Sequence, residues 1–67
     1  MKAASRAKEY LIDVRLENAK RLLRYSKLSV TEIAFSVGFS DASYFSNVFK
    51  IKVGKSPLSY RKGFDTV

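Results

Sequence analysis

The chain has 67 residues, no cysteine, no histidine, 46% hydrophobic residues and a net charge of +7. That length supports one small domain held by apolar contacts alone, and the missing residue types exclude disulfides and thiolate metal sites. Thirteen Lys and Arg against six Asp and Glu favour a polyanionic partner, nucleic acid or an anionic membrane, with a merely soluble basic surface as the plain alternative.

No apolar run approaches membrane-spanning length, and the start through Lys8 lacks the apolar core of a secretory signal. A cytoplasmic protein with no membrane partner is expected. Residues 5–26 repeat apolar side chains at spacings of three and four, so that Ile12, Leu16, Ala19, Leu22 and Leu23 share one side of a helix. Glu9, Asp13, Glu17, Lys20, Arg21 and Arg24 fall on the opposite side, with Glu17 and Arg21 spaced for an i,i+4 ion pair. The acidic residues and the lack of Trp favour a packing helix over one lying on a membrane.

Ser29 and Glu32 form an S-x-x-E capping box, and Leu28 and Ile33 stand at the two hydrophobic-staple positions around it. The helix begun there carries Val30, Ile33, Ala34 and Val37 and stops at Gly38, which adopts the left-handed conformation of a helix end at low cost. Ala34 lets the next helix approach closely and Gly38 permits the change of direction. Ser40 or Asp41 caps a third helix. Tyr44, Phe45, Val48, Phe49 and Ile51 gather on one side of it, Ser43, Ser46, Asn47 and Lys50 on the other, with Ala42 at the edge. The aromatic spacing predicts a buried stripe rather than a base-stacking platform. Val53 and Gly54 end this helix. Ser56 followed by Pro57 opens a short fourth one, with Leu58 and Tyr60 inward, Arg61 and Lys62 near its C-terminus, and an end at Gly63. The expected fold is all-α and a single structural unit: a connecting amphipathic helix over residues 1–27, a helix-turn-helix with a short C-terminal helix over 28–63, and a tail over 64–67.

Charge is divided unevenly along this order. Residues 1–27 sum to +5, residues 28–49 to −2 with no Lys or Arg, and residues 50–67 to +4. An uncharged helix face with small side chains fits a major groove, while flanking cations engage phosphates. In that setting Asn47 makes a bidentate contact to adenine, Ser43 and Ser46 donate or accept, and Ala42 touches a thymine methyl. The same face read alone is equally an ordinary solvated side of an amphipathic helix. The local order shifts the balance toward the groove-reading face: capped helix, glycine turn, capped second helix and a Ser-Pro helix, with basic residues on either side.

The run Ile33-Ala34, Gly38-Phe39, Asp41, Ser43-Tyr44-Phe45, Phe49-Lys50, Gly54, Ser56-Pro57 and Tyr60-Arg61 resembles the C-terminal signature of bacterial AraC/XylS-type transcription regulators. Upstream, Tyr10-Leu11, Arg15-Leu16, Ala19 and Leu22-Leu23 are similar to the helix joining the two helix-turn-helix units of such regulators. The resemblance implies that residues 30–51 are the second helix-turn-helix and that the helix from about Asp41 to Ile51 is its recognition helix. Ala42, Ser43, Ser46 and Asn47 then face bases of double-stranded DNA. Thr31 and the amides at the start of its helix meet a phosphate, and Lys50, Lys52 and Lys55 contact the backbone. Family members often carry a longer polar residue at Ala42 and Arg at Asn47, so the implied helix is poor in long donors for guanine. The resemblance also implies that the first helix-turn-helix and an upstream sensor or receiver domain lie outside this fragment. Its affinity alone is then modest and largely electrostatic.

A helical protein-interaction module is the competing reading, with Leu16 and Leu23 uncovered by loss of the preceding half-domain and the fragment self-associating. Catalysis is not expected. There is no His or Cys, no Gly-rich phosphate loop and no paired carboxylates, and Glu32 and Asp41 are accounted for as helix-start residues. No cofactor and no metal are implied.

Overall fold

The computed structural model describes the backbone of residues 2–65 and the side chains of residues 8–63; the outer part of the expected tail, residues 66 and 67, lies outside it. Among the described residues there are four helices and no strand: α1 (Lys2–Tyr25), α2 (Val30–Ser36), α3 (Ala42–Val53) and α4 (Pro57–Asp65). Leu16, Ala19 and Leu23 of α1, Ile33 and Ala34 of α2, Phe39 of the turn, and Phe45 and Phe49 of α3 make one buried cluster. Their rings interlock. Phe39 and Phe45 have centroids 5.2 Å apart, Phe45 and Phe49 5.7 Å, and Phe49 meets Tyr60 of α4 edge-on at 5.5 Å.

The helix ends follow the chemistry of their capping residues. Ser29 Oγ accepts from the Glu32 amide at 3.1 Å, and the Ser29 amide donates to Glu32 Oε1 at 2.8 Å, closing the box in both directions. Leu28 packs on the core beside the fully buried Ile33. Ser29→Ala removes one half of this box and is expected to cost about 1 kcal/mol, or roughly 4–8 °C in Tm for a domain of this size. A thermal melt followed by circular dichroism checks it, and an unchanged midpoint contradicts it. Ser56 Oγ likewise accepts from the Ser59 amide at 3.2 Å, with Pro57 at the first position of α4.

Several expectations need correction. Leu16 and Leu23 are not an uncovered face; they are buried inside this domain by α2, α3 and α4 side chains. Ile51 is 81% exposed and Tyr44 49%, so neither belongs to the aromatic stripe. Ile51 lies two residues past Phe49, roughly 200° around a helix, which turns it away from the core. Leu58 is also exposed, because Pro57, Tyr60 and Arg61, at spacings of three and four, take the inward side of α4. Glu17 pairs with Lys20 at 3.0 Å, in place of the expected Arg21. Gly63 does not end α4, which runs on to Asp65; the positive-φ glycines are Gly38 and Gly54. Asp41 alone caps α3.

Arg61 ties the ends of the fold together. Its Nε donates to the Leu23 carbonyl at 3.1 Å and its Nη2 to the Ser26 carbonyl at 3.2 Å, satisfying acceptors that the end of α1 leaves open. Ser26 Oγ adds a bond to the Leu22 carbonyl at 2.7 Å.

Candidate nucleic-acid interface

α3 is set in place at both ends and along its underside. At its entry the Phe39 amide donates to the Ala34 carbonyl at 2.9 Å and the Gly38 amide to the Phe35 carbonyl at 3.2 Å. This is the double bond pattern of a Schellman motif, and it needs Gly38 at φ +111°. Asp41 Oδ1 then accepts from the amides of Ser43 at 2.7 Å and Tyr44 at 3.1 Å, so α3 starts at a defined point. Phe45 and Phe49, both fully buried, hold the underside, and Gly54 at φ +99° ends the helix. The Arg15 guanidinium of α1 lies over the Phe39 ring, 5.9 Å from its centroid. It thereby braces the turn from the connecting helix.

With the underside fixed, the outward face follows. Ser43, Asn47 and Lys50 are exposed, and Asn47 stands opposite the Phe45–Phe49 side. Ala42 and Ser46 are half-buried on the shoulder of α3, with Ala42 packed on the core. The outward face therefore brings together Ser43 and Asn47 of the four expected base-facing residues and sets the other two at its margin. Sequence reading missed Tyr44 and Ile51, which share the exposed side with Asn47 at spacings of three and four. Strict application of the 3.6-residue period reveals both.

The cations divide in the same way. Lys50 and Lys55 are exposed, and Thr31 is exposed on α2. Lys52 is engaged elsewhere: its Nζ sits 3.1 Å from Asp13 Oδ1 of α1. The two acids of the middle segment are turned to backbone amides, Glu32 to Ser29 and Asp41 to Ser43 and Tyr44. Among the described residues no helix is long and apolar enough to cross a membrane, and no group of three or more His, Cys, Asp or Glu side chains is placed to hold a metal ion.

A short capped helix, a glycine turn and a second capped helix held outward on an aromatic core define a helix-turn-helix unit. A family model described as a helix-turn-helix domain matches residues 3–63. The chain is 51% identical over 55 residues to the Msm operon regulatory protein of Streptococcus mutans, covering 82% of this chain and 20% of that protein. It is 50% identical over 56 residues to the HTH-type transcriptional activator RhaS of Escherichia fergusonii, covering 84% of this chain and again 20% of the relative. Among solved structures it resembles the C-terminal domain of the two-component response regulator yesN from Fusobacterium nucleatum. That likeness has a TM-score of 0.79 and 42% identity over 81% of this chain and 52% of that one. The chain belongs to the AraC/XylS-type helix-turn-helix family of transcription regulators. It spans about a fifth of the length of the curated relatives it matches.

Proposed function

We propose that this chain is the second helix-turn-helix half of a sequence-specific DNA-binding domain in a transcription regulator, acting in the cytoplasm and without catalytic activity. α3 enters the major groove. Asn47 reads adenine and Ser43 a neighbouring base edge, while Ala42 and Ser46, at the shoulder, contact the groove wall. Lys50, Lys55 and Thr31 hold phosphates, and Lys52 joins them only by giving up Asp13. The observation that supports this best is the outward placement of an amide-bearing helix face on a rigid aromatic underside, next to exposed cations. The rest of the regulator, another half-domain and a sensor or receiver domain, supplies the remaining contacts and the signal.

Fluorescence anisotropy with labelled duplexes tests the division of labour. Affinity is expected to fall steeply as salt rises, and Lys50→Ala to weaken binding about equally on all sequences, lowering the log–log salt slope by about 1. Asn47→Ala is expected to lose about 1–3 kcal/mol of preference at one base position and leave the slope alone. An Asn47→Ala variant with unaltered preference removes Asn47 from the reading role. Lys52→Ala is expected to cost less than Lys50→Ala, because Asp13 already engages that ammonium.

The exposed Tyr10, Leu11 and Val14 on the N-terminal half of α1 favour a second reading, a helical protein-interaction surface through which the fragment self-associates. Light scattering over a range of concentrations tests it; a strictly monomeric chain counts against it.

A further inference from the structure

Tyr44, Asn47 and Ile51 succeed one another at spacings of three and four and so line one side of α3. Ile51, 81% exposed, is the most exposed of the large apolar side chains among the described residues. The fold makes no use of it. One helical turn before it stands Asn47, and its sequence neighbours are Lys50, which is exposed, and Lys52, held toward α1 by Asp13. A stiff, branched apolar side chain thus stands on the surface that carries the proposed reading amide, with an exposed cation beside it. Tyr44, 49% exposed and tilted against Phe39 with ring centroids 6.0 Å apart, gives that side a second apolar element.

In a major groove the apolar feature that a base edge offers is the C5-methyl group of thymine. Ala42, the other apolar residue near this face, is half-buried against the core and is less well placed for that contact. Resting on the DNA-binding reading above, we infer that Ile51 is a specificity-determining residue that packs on a thymine methyl near the adenine read by Asn47. One turn of helix rises about 5.4 Å. Base pairs stack about 3.4 Å apart, so the thymine falls one or two steps from that adenine.

The test selects preferred sequences of the 67-residue chain from a randomised duplex pool at low ionic strength, then replaces each thymine of the selected duplex in turn by deoxyuridine. This removes one methyl group and leaves the hydrogen-bonding edge intact. One replacement is expected to weaken binding about fourfold, the ratio that burial of a single methyl-sized group gives. The same replacement is expected to be neutral for Ile51→Ser, whose exposed position keeps the fold intact, and to retain its effect for Asn47→Ala. A uridine series that is flat for the unaltered chain overturns the inference, as does an equal loss in Ile51→Ser. A flat series together with concentration-dependent association lost in Ile51→Ser assigns the side chain to a second copy instead. A pool that yields no enriched sequence from folded protein that still binds duplex DNA overturns this inference alone, and folded protein that shows no binding to duplex DNA at low ionic strength overturns the DNA reading with it.

Discussion

Phe49→Ala is expected to leave the chain largely unfolded at 25 °C. Phe49 is fully buried and sits between Phe45 and Tyr60, so it joins the underside of α3 to α4. Removing such a ring costs about 3–5 kcal/mol in lost transfer free energy and unfilled cavity. A single apolar core in a chain of this length rarely supplies more than about 3–5 kcal/mol, with no disulfide to constrain its unfolded state. Most of the margin is therefore consumed by one side chain. Circular dichroism at the helical minimum, with a urea titration, measures the outcome. Retained helicity with a midpoint close to the original contradicts the placement of Phe49 at the centre of the core.

Gly38→Ala carries the second large effect, for two separable reasons. At φ +111° an added side chain strains the backbone, a cost on the order of 1–2 kcal/mol. In addition, the new Cβ meets Arg15 Nε at 2.7 Å, which displaces the guanidinium from the Phe39 ring and forfeits about 0.5–1 kcal/mol of cation–π attraction. The sum lowers Tm on the order of 10–20 °C. Gly54 provides the control. It has φ +99°, but an added Cβ there has no neighbour within 4 Å, so Gly54→Ala reports the backbone cost alone. Gly38→Ala is expected to be the more damaging of the two, and Arg15→Ala to bring their costs together. Equal costs in the presence of Arg15 contradict the bracing role of that residue.

Local chemistry was readable from the sequence, because it depends on neighbours a few residues apart. The capping box of Ser29 and Glu32, the glycine turn at Gly38, the Ser56–Pro57 start and the Phe45–Phe49 stripe all stand where spacing places them. Apolar residues at the edge of an apolar face are less legible. Ile51, Tyr44 and Leu58 are apolar and outward, and hydrophobicity alone does not separate a core residue from one left on the surface. Contacts between distant segments were out of reach. The Lys52–Asp13 pair spans 39 residues and the Arg61 bond to Leu23 spans 38, and no local pattern announces either. Both alter the functional account, since Lys52 is less available for phosphate than Lys50, and Arg61 serves the fold.

The placement of Ser43 and Asn47 is the part of the candidate site on which the rest turns, and it follows from the anchoring of Phe45 and Phe49. Titration of the isotope-labelled chain with double-stranded oligonucleotides at low ionic strength, followed by amide chemical shifts, examines it directly. The largest shifts are expected at Ser43, Asn47, Lys50 and Ile51, with Leu16, Ala19 and Leu23 unmoved. A folded sample in which the α3 amides stay still, or in which shifts are confined to the N-terminal half of α1, contradicts the assignment of this face to DNA.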